Sequence, residues 1–418
     1  MHGIHSHSMM KSNTMQQTTL PACEAPLIDP NWLREDPHAK FAELRKDHAV
    51  IRTNDQTYYV LRAADVIPLL KDDRTVQIEG SDYVALHKIP DGAMARFLRD
   101  ILLFANGKDH RAKRGPFARA FAHQAILASR GRIRSVAQTI IAELPRGESF
   151  DFVARMAARV PAEMIAALLG LPASDAAYFA PRIYDLASVI GPLYPIDDHD
   201  RIETAARELF AYVEGQMLTR LAAPVDDLLS RLVTDWDQTR DVDFGSLVNQ
   251  VIAFILGGSD TTRAAFAITI SRLRQRPDDW AALQADPSLI PGAVSESLRF
   301  EPSVGNVPRF TVAAMQIGGT TVPPGVLLNL STMSAMRDPD LYSRPDEFLI
   351  RRTDHPRLHL VFGQGPHRCI GELLARLEME ESLKAVLEAA PDIKIEVAPQ
   401  MIGFGGIRQI TPMMVQIP

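Results

Sequence analysis

Phe362-Gly363-Gln364-Gly365-Pro366-His367-Arg368-Cys369-Ile370-Gly371 is the stretch on which the reading of this 418-residue chain turns. The residues that follow, Glu372-Leu373-Leu374-Ala375-Arg376-Leu377-Glu378, predict an amphipathic helix, which puts Cys369 just ahead of its amino terminus. Free N–H groups and the positive end of the helix dipole there favour a thiolate and predict a lowered pKa. Gly363, Gly365 and Gly371 permit a tight turn and let a flat ligand lie against backbone. A solitary cysteine is ordinarily a small buried hydrophobe. Three glycines, a histidine and a helix start around this one point instead to a ligand.

Upstream, apolar residues occur nearly all round a predicted helix from about residue 244 to 273, among them Val251, Ile252, Phe254, Ile255, Leu256, Ala264, Phe266 and Ile268. Such a helix belongs in the centre of a core. Its middle reads Gly257-Gly258-Ser259-Asp260-Thr261-Thr262. Each glycine costs about 1 kcal/mol relative to alanine inside a helix, and a buried Asp needs a partner. Local rules broken within an otherwise ideal helix mark a functional site; the alternative is a loop between two helices. Glu296 and Arg299 stand one helical turn apart before Pro302, a pair that on its own reads as a solvated surface ion pair.

The rest of the chain places these segments. Alternating runs at 50–52 and 57–61 predict a strand pair. From about residue 63 to 302 the pattern is helical, with Pro145, Pro172, Pro192 and Pro195 between the periodic segments. Between residues 309 and 332, Gly318-Gly319 and Pro323-Pro324-Gly325 predict a hairpin and a following strand, helix returns only after Cys369, and residues 393–417 alternate again around Gly403, Gly405 and Gly406. The expected fold is mainly α with a smaller β subdomain: a flexible arm over residues 1–27, then one domain over 28–418 that is β-rich near 49–62, 305–332 and 391–418.

The cysteine segment resembles the haem-binding loop of the cytochrome P-450 superfamily, Phe-Gly-x-Gly-x-His-x-Cys-x-Gly, at every fixed position. That resemblance implies the cytochrome P-450 fold, with haem b (iron protoporphyrin IX) between the central helix and the cysteine-loop helix. Cys369 would be the axial ligand of the iron, its thiolate pushing electron density that favours O–O cleavage. Phe362 and Gly363 belong to that loop, and the position of His367 contacts a haem propionate in the family. Gly257 to Thr262 resembles the family's oxygen-binding groove, where Asp260 and Thr261 match the acid and alcohol that deliver protons. Glu296 and Arg299 match its buried E-x-x-R pair, a structural lock often joined by a further Arg downstream. His110 and Arg114 resemble its His-x-x-x-Arg, and Arg309 the Arg after the E-x-x-R helix; all three would contact propionates. Asn106-Gly107-Lys108-Asp109 departs from the family's usual Asp-Pro-Pro-Glu, and Ala335-Met336-Arg337 from its usual Asn before the Arg.

The expected activity is that of a monooxygenase that uses O2 and two electrons to hydroxylate or epoxidise a small to medium apolar substrate. One candidate cysteine cannot hold an iron–sulfur cluster, so the electrons would come from NAD(P)H through a ferredoxin reductase and a separate ferredoxin. Arg111, Lys113, Arg119 and Arg368 would offer a basic docking face for that acidic partner. Candidate pocket residues are Ala253, Gly257, Gly258, Val304, Val307 and Phe404, with the loop over 77–104 and the helices over 180–212. A haem-thiolate sensor or carrier would need Cys369 but not Asp260 and Thr261. A peroxygenase or isomerase on the same fold is a second alternative, and a zinc site on His359, His367 and Cys369 lacks a fourth ligand.

Composition agrees with that reading. With 46% apolar and 23% charged residues the chain has ample material for a large core, and its net charge of -6 argues against a nucleic-acid partner. Cys23 and Cys369 are too few for a disulfide framework. With neither a signal-type segment nor a membrane anchor, a monomer in a reducing cytoplasm is expected.

Overall fold

The computed structural model describes residues 24–121, 123–190, 194–356 and 359–418. Most of the expected arm, with Cys23, lies outside the described residues, as does Pro192. Its inner boundary is corrected: Arg52 N–H donates to the Pro26 carbonyl at 2.9 Å, Ile28 N–H to the Arg52 carbonyl at 2.8 Å, and Leu27 bridges Arg52 in parallel. Residues 26–28 are thus tied to the edge of a sheet.

The helix Phe244–Arg274 is unbroken through its two glycines and its Asp, so the loop alternative falls. Tertiary packing supplies what propensity lacks. The helix lies against Arg159–Leu169, Ala176–Ala187, His199–Ala222 and Glu372–Ala389. Leu247, Val248, Val251, Ile252, Ile255 and Leu256 in its first half join one apolar cluster, with helices drawn from residues 80–236. Ala265, Phe266, Ala267, Ile270 and Leu273 in its second half join another, with the sheet, Ile290–Phe300 and Glu372–Ala389. Residues 257–263 fall between the two cores. By length and composition this helix could cross a bilayer, but 67% of its apolar window is buried inside the protein.

The larger sheet joins distant pieces in the order Val50–Asn54, Thr57–Val60, Leu327–Leu330, Val307–Thr311, Thr75–Val76. Thr57–Val60 and Leu327–Leu330 run parallel; the other neighbours are antiparallel. A second sheet sets Met414–Gln416 between Ser149–Asp151 and Lys394–Val397. The Gly318-Gly319 hairpin forms as expected between Met315–Ile317 and Thr320–Val322, both glycines having positive φ. Strands Thr75–Val76 and Ser149–Asp151, of two and three residues, are too short to show an alternation in the sequence. The single turn Thr332–Ala335 also precedes Cys369, where no helix was expected. The protein is mainly α with a smaller β part, as anticipated.

Candidate active site

The cysteine loop is held from within and from outside. Cys369 N–H donates to the Phe362 carbonyl at 2.8 Å, and Arg368 N–H to the Gly365 carbonyl at 3.1 Å. Gly365 has φ +74°, and a Cβ there would lie 2.8 Å from the Leu70 carbonyl oxygen, so only glycine fits. The Phe362 ring packs on His359 and takes the Arg376 guanidinium over its face at 5.2 Å. Cys369 is exposed, though enough protein surrounds its sulfur to desolvate the thiol. Burial pushes the thiol pKa up; the Gly371 N–H, Arg114 and Arg368 pull it down, while Glu372 adds to the rise. The lowering expected from the helix start is therefore corrected. The helix Glu372–Ala389 does begin there, but desolvation outweighs it.

Arg114, Arg309, His110 and His367 come near one another with no ion pair to an acid among the described residues. The Arg309 side chain is buried, donates to Gln77 Oε1 at 2.9 Å and to the Pro308 carbonyl at 3.0 Å, and has no carboxylate partner among the described residues. Burial alone drives its pKa down, to about 10. Arg114 Nη2 donates to the Arg368 carbonyl at 2.6 Å; burial lowers its pKa, and the group that pulls it back up is Cys369. The His110 and His367 rings lie 4.1 Å apart, and His110 Nε2 is buried without a hydrogen bond. Burial, then His110, Arg309 and Arg114, hold the His367 pKa at about 3.

On the central helix, Ala253, Gly257 and Thr261, spaced by four, form a partly open stripe, with the similarly open Phe254 and Gly258 beside it and Ile255, Leu256, Ser259, Asp260 and Thr262 buried. A Cβ on Gly257 would meet nothing within 4 Å, and Thr261 Oγ1 donates to the Gly257 carbonyl at 3.1 Å. Asp260, on the flank of this stripe, is 2% exposed and paired with Arg263, while its Oδ2 is buried without a partner. Arg263 in turn lies 4.6 Å over the Tyr184 ring, whose hydroxyl is also unpartnered. Burial, then Asp260, raises the Tyr184 pKa to about 12.

This arrangement has close parallels. The chain is 34% identical over 99% of both lengths to the plant-inducible cytochrome P-450 pinF1 of Rhizobium radiobacter. The chain belongs to the cytochrome P-450 family. The family model for cytochrome P-450 matches residues 216–389. An erythromycin C-12 hydroxylase of Saccharopolyspora erythraea is 31% identical over 90% of this chain and 89% of its own. The crystal structure of CalO2 superposes with a TM-score of 0.86 at 25% identity, over 94% of this chain and 99% of that one. The protein is thus a cytochrome P-450 monooxygenase, an oxidoreductase whose family cofactor is haem.

The residues present fit that cofactor. Two guanidiniums and two imidazoles that form no ion pair with an acid among the described residues suit a ligand bringing two carboxylates of its own, and the unbonded His110 Nε2 suits one of their oxygens. The exposed Cys369 thiol would supply an axial sulfur. The zinc alternative fails, because no group of three His, Cys, Asp or Glu among the described residues can hold an ion.

The cytochrome P-450 lock is buried here, against the solvated reading of Glu296 and Arg299. Arg299 Nε and Nη2 each donate to the Glu296 carboxylate at 2.8 Å, and both residues are 0% exposed. Arg299 also donates to the carbonyls of Met336, Pro345 and Glu347. The further Arg is Arg352, whose Nε reaches Glu296 Oε2 at 2.9 Å.

Gly258 and Phe404 face other parts of the protein. A Cβ on Gly258 would run into Ile165 Cδ1, so this glycine serves helix packing and does not line the pocket. Phe404 is buried between Phe41 and Tyr59, with centroids at 5.9 and 5.8 Å, in an apolar cluster that also holds Leu33, Ile51, Leu61 and Met333. Val304 and Val307 are half-buried and pack on the core that holds the sheet. The basic face is largely cancelled: Lys113 is buried between Asp100 and Asp109, Arg119 pairs with Asp235 and Arg368 with Glu372, leaving Arg111 exposed without an ion pair among the described residues. Arg263, one turn beyond Asp260, was open to recognition by its i, i+3 spacing; Tyr184 carried no such signal.

Proposed function

We propose that the chain hydroxylates, or epoxidises, a small to medium apolar molecule, using O2 and two electrons delivered from NAD(P)H by a ferredoxin reductase and a ferredoxin. The observation that carries this reading is the stripe Ala253, Gly257, Thr261, one hydroxyl on an otherwise apolar and partly open face, in a chain whose Cys369 is exposed as well. When bound, the haem would supply the reductive activation of dioxygen and the transfer of one oxygen atom. Cys369 would ligate it, and Arg114, Arg309, His110 and His367 would hold its propionates. Thr261 Oγ1 would hold a proton for delivery in the groove, relinquishing its 3.1 Å bond to the Gly257 carbonyl as it turns. Asp260 would relay a proton to it through its unbonded Oδ2, accepting one as it passes one on, with Arg263 holding the carboxylate in place. Ala253 and Gly257 offer no charge, which suits an apolar substrate. The protein would act as a cytoplasmic monomer.

Two variants test this. Cys369→Ser should lose the red-shifted Soret band of the reduced carbon monoxide complex, and its retention would end the ligand assignment. Thr261→Ala should keep that band but divert reducing equivalents to hydrogen peroxide, read as product and peroxide formed per NAD(P)H consumed. Equal coupling in wild type and Thr261→Ala would favour a peroxygenase or isomerase.

A further inference from the structure

Arg309 presents a physical question: a guanidinium 3% exposed, with no acid beside it, must be held in place by something that leaves its charge unspent. Strand Thr75–Val76 pairs antiparallel with Val307–Thr311, Val76 facing Phe310, so the next position along sets Gln77 beside Arg309. Gln77 is 4% exposed, and its Oε1 accepts from Arg309 Nη1 at 2.9 Å. Gln77 is itself clamped. Its N–H donates to Asn106 Oδ1 at 3.0 Å, and its carbonyl accepts from Asn106 Nδ2 at 2.8 Å. Asn106 is the residue at the amino-terminal cap of Gly107–Ala120, the helix bearing His110 and Arg114, and its side chain makes no capping bond there because its amide is committed to Gln77.

We propose that Gln77 is a positioning residue for the haem propionates: a neutral acceptor, fixed by Asn106, that orients Arg309 while leaving its positive charge for an anionic ligand. The proposal rests on the haem reading above. A carboxylate at position 77 would satisfy Arg309 from within the protein and repel a propionate, whereas an amide does neither. Asn106 couples the two cationic segments, so that Arg309 on the sheet and Arg114 on the helix are set relative to one another through one side chain. This assigns a use to the Asn106-Gly107-Lys108-Asp109 stretch, which departs from the pattern usual in the family.

The test uses full-length holoprotein with Gln77→Ala, the isosteric Gln77→Glu, Arg309→Ala and the Gln77→Ala/Arg309→Ala double variant. The readouts are the rate of haem transfer to an excess of a haem-scavenging apoprotein and the ferric–ferrous midpoint potential. Gln77→Ala should release haem about tenfold faster, the loss of one hydrogen bond to a charged group, and should add nothing in the Arg309→Ala background. Gln77→Glu should release haem faster still and lower the midpoint potential, because it adds negative charge that favours the ferric state. Additive effects of Gln77→Ala and Arg309→Ala, or wild-type retention and potential in Gln77→Glu, would overturn the assignment. If Gln77→Ala fails to fold by circular dichroism, Gln77→Glu decides. A wild type that shows the thiolate carbon monoxide band alongside unaffected Gln77 variants sinks the role of Gln77 alone; a wild type that binds no haem sinks both readings.

Discussion

His359 is enclosed by protein, its Nε2 3.1 Å from the Ser295 carbonyl and its Nδ1 without a partner, and burial holds its pKa to about 3. The unfolded chain takes up a proton near the ordinary value of 6.5, which the native state refuses. The stability this contributes is complete above pH 6.5 and is lost as pH falls from there toward 3, by up to about 1.4 kcal/mol per pH unit for one proton. Urea unfolding of wild type and His359→Gln between pH 7 and 4.5 should give a shallower acid dependence in the variant; parallel curves would exclude His359 as the source. At this scale the sequence was informative where chemistry is local. Cys369, Gly365 and His367 follow one another in one loop and could be read together. Arg352, Tyr184 and Gln77 could not, because each acquires its partner from a segment 56, 79 or 232 residues away in the chain, and nothing in their own neighbourhood signals it.

Two adjacent glycines on the central helix differ by about 100° in direction, and this decides what each does. Gly257 opens onto the groove, whereas a Cβ on Gly258 would meet the Cδ1 end of Ile165, itself 0% exposed. Gly257→Ala should therefore raise stability by up to about 1 kcal/mol through helix propensity, while adding a methyl group to the groove and weakening the spectral response to substrates. Gly258→Ala should lower stability by about 1–3 kcal/mol as the two helices are forced apart. Thermal unfolding of the two variants should move in opposite directions, and movement in the same direction would contradict the packing described. Apolar periodicity made the helix itself plain in the sequence, since both of its halves are core-facing. Which of its small residues face the groove depends on the neighbouring helix Arg159–Leu169, and periodicity alone cannot assign that.

Across the whole molecule, Glu296 joins segments that are far apart in the chain, accepting from Arg299, from Arg352 and from the Leu349 N–H at 2.8 Å. Glu296→Ala would leave the Arg299 guanidinium buried without a carboxylate and Arg352 with Asp354 alone, which costs about 3–5 kcal/mol. Chemical unfolding should show a loss of that size, and a loss below 1 kcal/mol would mean that the pair is as dispensable as a surface one. The pairing of Phe404 with Phe41 and Tyr59 belongs to the same class of connection and was illegible for the same reason: an aromatic residue in a glycine-rich turn carries no mark of which distant face it will join.

The sheet order sets a schedule for synthesis. Thr57–Val60 takes Leu327–Leu330 as its parallel neighbour, so a nascent chain must emerge by some 270 more residues before that edge can be covered. During translation the Val50–Val60 hairpin is therefore a two-stranded piece with one side bare, marginal in water and open to pairing with other chains. Closure of so long a loop makes the sheet a late and slow event relative to the helices between its halves. Expression yield of this protein should accordingly respond to holdase chaperones and to slowed translation more than its finished stability would suggest.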